Sequence, residues 1–433
     1  MPRVSMKTVL LIGTLDTKGK EYSYVRVKLE AEGLHTILMD VSCKSFQPEF
    51  PSDFSCNDVS LAAHAEFSSV SQWERLPAQK VMMEGAIRLS EELFQKRKFD
   101  GIMALGGSNG TAIACAVMQR FPVGMPKFMV STMASGDVRG YVGWKDIVMF
   151  HPVGDISLNG MTKRIFSGAV RALAGMLRED QSEGEAKKTQ IALTVFGVVQ
   201  ACAEHAKSLL EERGYEVMVF HTSGTGGMAL EELVKQGMID GVLDISTTEV
   251  TDEAIGGVLT AGPHRMEAAG AMGIPQVIIP GAIDLVNFKT PDTVPEKWKD
   301  RVFYRHTPHI TLMRTDVEES ALLGRVFAKK INQARGPSLA LIPLKGFSAY
   351  DNPKGPKAMN LQGGPASHPW FWPEADRAFY DMLKENLDLS KVRYEELPVD
   401  INDPRFAEKA VEELDRMVKE SKRRVESLER RIQ

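Results

Sequence analysis

The stretch that decides the fold is Val9-Leu10-Leu11-Ile12-Gly13-Thr14-Leu15-Asp16-Thr17-Lys18-Gly19. Four apolar residues lead into Gly13, and a turn with two hydroxyls, a carboxylate and a lysine follows. Tyr22, Val25 and Leu29 then recur at helical spacing. This order predicts a buried strand, a tight turn and the start of a helix. Such a turn points backbone N–H groups and the positive end of a helix dipole at one place, which attracts anions such as nucleotide phosphates. Because many polar loops of α/β proteins bind nothing, this loop alone leaves both interpretations open.

Composition narrows the class of protein. The chain has 433 residues, of which 43% are hydrophobic and 25% charged, enough for two domains with complete cores. A net charge of −4 gives no indication of a nucleic-acid surface. No apolar run reaches the roughly 20 residues that a membrane-spanning helix needs. Four scattered cysteines without a C-x-x-C pair indicate neither a zinc site nor a disulfide framework, which favours a cytoplasmic location.

Predicted strands alternate with helices along the whole chain. In the first part, strands are predicted at 34–41, 99–105, 126–130 and 147–150, in addition to the opening one. Residues 179–189 are polar, and the order of segments then repeats, beginning at 191–197. We therefore predict an α/β fold of two Rossmann-like three-layer modules with parallel sheets, related by internal duplication. The predicted domains are 1–185 and 186–433, the second ending in a charged helix from about residue 404.

The polar loops follow the predicted strands, and ligands of such modules bind beyond the carboxyl ends of the strands. Glycine in these loops lets the backbone approach a phosphate, and Lys18 supplies a positive charge. Asp16 can serve as a helix cap, as a ribose contact or as a ligand of magnesium on the phosphates. The candidate nucleotide-binding residues are Gly13, Thr14, Asp16, Thr17, Lys18, Gly106, Gly107, Ser108, Asn109, Gly110, Thr111, Ser131, Thr132, Met133, Ala134, Ser135, Gly136 and Asp137.

The second module offers a polar pocket for a small-molecule substrate. Its candidate residues are Glu249, Asp284, Asn287, His306 and Arg314. The spacing of His306 and His309 suits neither one helix face nor one strand face, so no metal site is predicted. The segment 224–229 matches G-x-G-x-x-A, but it follows the second strand of its module rather than the first, so we interpret it as a turn.

The loops 13–19, 106–111 and 132–137, with the segments 280–288 and 311–315, resemble an uncharacterised bacterial and plant family. This Tm-1-like ATP-binding family includes the ATP-binding N-terminal region of a tomato tobamovirus-resistance protein. The resemblance implies two lobes, with ATP bound in the first together with magnesium, and it extends to Asp155 and Asn159. Thr307 stands where the family pattern has Asn between His and Pro, which weakens any role of the neighbourhood of His306.

Three functions follow as hypotheses. The first is an ATP-dependent enzyme of small-molecule metabolism, with the nucleotide in the first lobe and the substrate in the cleft between lobes. The second is a nucleotide-gated regulatory or binding protein without turnover, because no general base is evident. The third is a nicotinamide dehydrogenase that uses 224–229. Apolar residues at heptad-like spacing in the last helix indicate either packing on the body or pairing with another chain, and we expect a homo-oligomer.

Overall fold

The computed structural model describes residues 6–178 and 188–432, apart from the side chains of residues 425, 426 and 428–432. The chain divides into two compact units, Met1–Glu185 and Ala186–Gln433. Most of the polar segment 179–189, where the sequence places the domain boundary, lies outside the described residues.

The first unit is built on five strands. They are β1 (Thr8–Gly13), β2 (His35–Asp40), β3 (Gly101–Gly106), β4 (Lys127–Ser131) and β5 (Val148–Phe150). Its helices are α1 (Leu15–Ala31), α2 (Cys56–Ala62), α3 (Phe67–Val70), α4 (Arg75–Gln95), α5 (Ser108–Met118), α6 (Arg139–Val142) and α7 (Gly160–Arg178). The strands form one parallel sheet in the order β2-β1-β3-β4-β5.

The second unit has nine strands. They are β6 (Gln190–Val195), β7 (Glu216–His221), β8 (Gly241–Ser246), β9 (Gln276–Gly281), β10 (Leu285–Phe288), β11 (Phe303–Thr307), β12 (Ile310–Arg314), β13 (Ser338–Pro343) and β14 (Arg393–Leu397). Its helices are α8 (Gln200–Glu212), α9 (Thr225–Lys235), α10 (Thr248–Ile255), α11 (Ala268–Met272), α12 (Val317–Ile331), α13 (Pro373–Asn386) and α14 (Pro404–Ile432).

The large sheet of the second unit is also parallel, in the order β14-β13-β9-β8-β6-β7. When the strands of each parallel sheet are numbered in chain order, both sheets share the order 2-1-3-4-5, and the second adds β14 at its edge. The predicted α/β fold of two parallel-sheet modules is thus confirmed, and the shared strand order agrees with an internal duplication. The sequence pattern did not predict the antiparallel sheet β10-β12-β11 of the second unit.

Each parallel sheet is the middle layer of three. In β1, Leu10 and Ile12 pack on one side with residues of α4 and α5. Val9 and Leu11 pack on the other side with α1 and α7. Strand side chains alternate between faces, so a sheet covered on both sides must be apolar at nearly every position. The opening stretch has this composition because β1 is an interior strand of its sheet, between β2 and β3.

The last helix packs on its own unit along the part whose side chains are described. Val411, Leu414 and Val418 are buried in the core that α14 shares with α8 and β6. Val425, Leu428 and Ile432 have side chains outside the description, so pairing of this helix with another chain stays a prediction. Over 6–178 and 188–432, none of the helices combines the length and apolar character that a bilayer crossing requires.

Candidate functional site

The two best candidate loops flank the point where the first sheet changes direction. From β1 the chain goes to β2 on one side and then to β3 on the other side. The loops after β1 and β3 therefore separate at their carboxyl ends and leave a crevice, which is where ligands of open α/β sheets bind. The loop after β4 lies next to it.

The hydroxyl of Tyr22 contacts the ends of both β1 and β3, next to the loops that follow these strands. Its ring is fully buried, and its hydroxyl accepts a hydrogen bond from Leu105 N at 2.7 Å. The same hydroxyl lies 2.5 Å from Ile12 O and 2.7 Å from Leu105 O, to one of which it donates. A Cβ on Gly13 would lie 2.3 Å from the Tyr22 ring. Gly13 is thus required by packing with the tyrosine.

The three predicted loops come together above this tyrosine. A Cβ built on Gly110 would lie 3.9 Å from Thr14 Oγ1, and one on Gly107 would lie 3.7 Å from Thr132 Oγ1. Both are ordinary contact distances, so the glycines leave open the space that a side chain would fill. The loop after β3 therefore lies beside both the loop after β1 and the loop after β4.

The side of this space formed by β4 is rigidly held. Ser131 is buried, and its Oγ lies 2.6 Å from Thr111 Oγ1 and accepts from Met133 N at 3.0 Å. The following residues, Thr132–Ser135, form a 3₁₀ turn. Asp137 lies at the surface beside Arg139, whose Nε donates to its Oδ1 at 2.9 Å. The remaining predicted residues of this loop, Ala134, Ser135 and Gly136, are half-buried or exposed.

The amides at the start of α1 are already hydrogen-bonded within the protein. Leu15 N donates to Asp40 Oδ1 at 3.3 Å, and Asp16 N donates to Ser42 Oγ at 3.0 Å. Ser42 Oγ in turn donates to Asp40 Oδ1 at 2.5 Å. This turn therefore has fewer free donors than the sequence suggests, and direct contact of its amides with phosphate stays a prediction.

Asp16 keeps an open oxygen. Its Oδ1 is buried and has no hydrogen-bond partner among the described residues. Burial raises the pKa of this carboxyl, and hydrogen bonds from Thr17 and Ser42 oppose the shift. A buried polar atom without a partner is unusual and marks a place where a ligand, an ion or water completes the bonding.

Lys18 binds a neighbouring segment of its own unit. Its Nζ donates to Ile156 O at 2.7 Å and lies 3.4 Å from Asp155 Oδ2. The backbone of Lys18 (φ −128°, ψ 20°) interrupts the helical geometry of α1. Asn159, the other residue of that segment, caps α7 by accepting from Thr162 N at 3.1 Å. A phosphate contact of Lys18 would require its ammonium group to leave the Ile156 carbonyl.

The start of α5 is the helix end best placed to receive an anion. Gly107 precedes the helix, and no described side chain caps it. Asn109 Nδ2 lies 3.9 Å from Cys43 Sγ, while Asn109 Oδ1 is buried and lacks a partner in the described chain. Arg75, the first residue of α4, approaches Ser108 Oγ at 3.5 Å and brings a positive charge to this edge.

Sequence reasoning missed Asp40, Ser42, Cys43 and Arg75. Asp40 ends β2, so the rule that ligands gather at carboxyl ends of strands could have found it. Arg75 comes to the site across an irregular segment, and no local pattern marks it. Among the described residues, no group of three or more His, Cys, Asp or Glu side chains is arranged to hold a metal ion.

The five candidate residues of the second unit belong to four hydrogen-bonded groups. Glu249 accepts from Gly224 N at 2.7 Å and from Gly227 N at 3.0 Å. Buried Arg265 donates to Glu249 Oε2 at 2.8 Å and to Asp244 Oδ2 at 2.6 Å. The amides of the G-x-G-x-x-A segment thus bind a carboxylate of the protein itself, as expected of a structural turn.

Asp284 and Arg314 belong to a second buried cluster. Asp284, with 0% exposure, accepts from Ser348 Oγ at 2.8 Å and from Trp370 Nε1 at 2.9 Å. Its Oδ1 has no partner among the residues described, and burial with nearby negative charge raises its pKa to about 6.

Arg314, with 1% exposure, neutralises only part of the charge of this cluster. It donates to Asp376 Oδ1 at 2.6 Å and to Asp351 Oδ1 at 3.3 Å. Burial raises the pKa of Asp351 to about 7, and Arg314 opposes the shift. One arginine therefore faces three buried carboxyl groups, and burial together with their mutual repulsion raises the pKa of Asp284 and Asp351.

Asn287 and His306 form their hydrogen bonds with other partners. Asn287 Nδ2 donates to Thr248 Oγ1 at 3.1 Å, and Asn287 N donates to Asp252 Oδ1 at 2.9 Å. His306 is exposed, and its Nδ1 lies 2.7 Å from the Tyr350 hydroxyl. The single pocket predicted for these residues is therefore not evident within the second unit, and their role in binding a substrate stays a prediction.

The duplication does not repeat the polar crevice. In the second unit the loop after β6 is Phe196-Gly197-Val198-Val199, which carries no polar side chain. Val198 O accepts from Asn402 Nδ2 at 3.1 Å and from Ala349 N at 2.8 Å. Over residues 6–178 and 188–432, it is therefore the first unit that combines this strand order with polar, glycine-lined loops at its switch point.

Comparison with known proteins agrees with the division of the chain into two units. A model of the N-terminal domain of an uncharacterised protein family (UPF0261) matches residues 7–182, and one of its C-terminal domain matches residues 188–418. The chain is 42% identical over 403 residues to the UPF0261 protein of Clostridium tetani. The alignment covers 93% of this chain and 96% of that protein.

A plant relative is also found. The chain is 32% identical over 432 residues to the ToMV resistance protein Tm-1(GCR237) of Solanum lycopersicum, covering 93% of this chain and 55% of the tomato protein. Among solved structures, UDP-N-acetylglucosamine 2-epimerase from Rickettsia bellii aligns over 63% of this chain and 78% of its own, with 12% identity and a TM-score of 0.23. That likeness is too slight to support a conclusion. The two domain matches and the bacterial relative show that the chain belongs to the UPF0261 family.

Proposed function

We propose that this protein binds ATP at the carboxyl end of the first unit's sheet, with the triphosphate against the first turn of α5. The observation that carries the proposal is the meeting of the loops after β1, β3 and β4 around a space lined by Gly107 and Gly110. Uncapped amides at a helix start and a glycine-lined approach are the features that phosphate binding uses. The resemblance of these same loops to an ATP-binding family supports the choice of ATP.

The residues present fit such a nucleotide. Ser108, Asn109 and Thr132 offer polar groups at the edge of the space, and Arg75 offers a positive charge near Ser108. The open oxygen of Asp16 suits a ribose hydroxyl, and it also suits magnesium, which takes one or two carboxylates along with phosphate oxygens and water. When bound, ATP would supply a transferable phosphoryl group, and the second unit would supply the substrate-binding residues of an ATP-dependent enzyme.

A second candidate function is a nucleotide-gated regulatory protein without turnover. The observation that favours it is that Glu249, Asp284 and Arg314 are buried and bonded to other side chains of the protein, namely Arg265, Trp370 and Asp376. Side chains engaged in this way have fewer polar atoms left to bind a substrate. ATP consumption measured across a panel of metabolites separates the two, because only the enzyme shows stimulated turnover.

A nicotinamide dehydrogenase has the least support. The dinucleotide fingerprint binds pyrophosphate through its loop amides, and Glu249 already accepts from those of Gly224 and Gly227. A Cβ on Gly227 would also lie 2.0 Å from Glu249 Oε2, which shows how tightly the carboxylate fills the turn.

Calorimetric titration with ATP and magnesium tests the proposal. In Gly107→Val the backbone (φ −82°, ψ −160°) accepts the new side chain, which projects toward Thr132 and fills the proposed phosphate space. We expect at least tenfold weaker binding, about 1.4 kcal/mol. Gly197→Val, which alters the loop after β6 where a Cβ meets no atom within 4 Å, is the matched control and should bind normally. Absence of heat with the wild-type protein, or equal affinity in both variants, contradicts the proposal.

Lys18 needs its own comparison. If its ammonium group moves from Ile156 O to a phosphate, Lys18→Ala weakens ATP binding while Lys96→Ala, which removes an exposed ammonium group paired with Glu92, does not. Equal affinity of the two variants assigns Lys18 to holding the segment around Asp155.

A further inference from the structure

A cavity of about 290 Å³ lies beside Asp16 and Thr17 in the first unit. It lies between the first two turns of α1 and the segment 46–50 that follows β2. At about 30 Å³ per water molecule, this space is several times larger than one water and accommodates the planar ring system of a nucleobase. It therefore has the size of a subsite.

Asp16 connects this cavity to the phosphate loops. Its side chain lines the cavity, and its buried Oδ1 has no partner in the described parts of the chain. On the other side, Asp16 N donates to Oγ of Ser42, and the next residue, Cys43, has its Sγ 3.9 Å from Asn109 Nδ2 at the start of α5. A ligand that passes from α5 to the cavity would therefore meet an unpaired carboxylate oxygen midway, where a sugar hydroxyl could donate to it.

The walls of the cavity include two aromatic rings. Phe46 and Phe50 are half-buried and pack against the core that β1 shares with α1 and α7. A Cβ on Gly19 would lie 3.6 Å from Phe50 Cε1, so the absence of a side chain at position 19 leaves part of that ring facing the cavity. Stacking of a base on an aromatic side chain contributes about 1–3 kcal/mol.

The rim of the cavity is polar. Gln47 carries an amide that can both donate and accept, and Glu49 carries a carboxylate, with Lys20 Nζ 3.7 Å from its Oε1. Such groups match the amino and ring-nitrogen edge of a purine, whereas the phenylalanines match its faces.

From these observations we infer that the cavity bordered by Gly19, Phe46 and Phe50 is the base subsite of a purine nucleoside triphosphate, with Asp16 at the ribose. This inference rests on the proposed function, because it places the base next to the phosphates assigned there. It goes beyond it by predicting selection for a purine over a pyrimidine.

The test compares ATP, CTP and inorganic tripolyphosphate by calorimetry, each with magnesium. We expect ATP to bind at least tenfold more tightly than CTP or tripolyphosphate. Phe50→Ala should reduce the affinity for ATP about tenfold and leave that for tripolyphosphate unchanged, which also shows that the variant is folded. Phe50→Trp, which keeps an aromatic face, should retain the preference for ATP.

The outcomes separate the two proposals. Equal affinity for ATP, CTP and tripolyphosphate, or an unchanged ATP affinity in Phe50→Ala, overturns the base subsite and leaves the phosphate site standing. CTP binding as tightly as ATP overturns purine selection. If neither ATP nor tripolyphosphate binds the wild-type protein, the phosphate site fails and the base subsite fails with it.

Discussion

Replacing Asp284 by asparagine should change how the stability of the second unit depends on pH. Asp284 is fully buried, and its pKa is raised from 3.8 to about 6. Between pH 3.8 and about pH 6, Asp284 is therefore protonated in the folded state and ionised in the unfolded state. The contribution of Asp284 protonation to the free energy of unfolding is therefore fully present below pH 3.8 and is lost as the pH rises through about 6.

The magnitude follows from the same numbers. At about 1.36 kcal/mol per pH unit, the difference between 3.8 and about 6 corresponds to about 3 kcal/mol in total. Integrating the protonated fraction from pH 5 to pH 7.5 leaves about 1.4 kcal/mol within that practical range. Asparagine has no such titration, although its side-chain oxygen can still accept from Ser348 and Trp370.

Urea unfolding at pH 5 and pH 7.5 measures the effect. Trp370 donates directly to Asp284, so its fluorescence reports on this cluster. We expect the free energy of unfolding of the wild type, minus that of Asp284→Asn, to fall by about 1.4 kcal/mol from pH 5 to pH 7.5. Asp292→Asn, at an exposed position, is the control and should show no such change. A difference that is constant or that rises with pH refutes the reasoning.

Two further substitutions probe buried groups by chemical denaturation. Tyr22→Phe leaves Leu105 N without its acceptor beneath the crevice and should destabilise the first unit by about 2–4 kcal/mol, whereas Tyr24→Phe at a partly exposed hydroxyl should change stability by less than about 1 kcal/mol. Equal effects of the two would show that the buried hydroxyl is not supporting the strands. Arg265→Leu removes the cation that faces Asp244 and Glu249 and should cost about 3–5 kcal/mol, against little change in exposed Arg325→Leu. A tolerated Arg265→Leu would mean that these acids are neutral in the folded protein.

The parts of the fold that sequence predicts are those set by local pattern. The apolar run before Gly13 and the glycines at 106–110 predict strand ends and loops, because burial on both faces and a tight turn each leave a signature within a few residues. The repeated order of sequence segments in the two halves predicts a repeated module, and the shared strand order of the two sheets supports that prediction.

The parts that sequence does not predict depend on distant partners. The antiparallel pairing of β10 with β12 joins segments more than 20 residues apart, and no local pattern specifies it. Arg265 meets Asp244, 21 residues away, and Arg314 meets Asp376, 62 residues away. Tyr22 was predictable as part of a buried helix face, but its insertion beside Leu105 depends on how that helix lies on the sheet. Such contacts decide which polar residues are free to bind a ligand, so the site is less predictable than the fold.

A crystal structure of the protein with ATP and magnesium tests the central claim most directly. The account predicts the triphosphate beside the backbone of Ser108, Asn109 and Gly110 at the start of α5, between the loops that carry Thr14 and Thr132. Density for ATP at a different place, or an empty crevice at a saturating concentration of ATP, would contradict it.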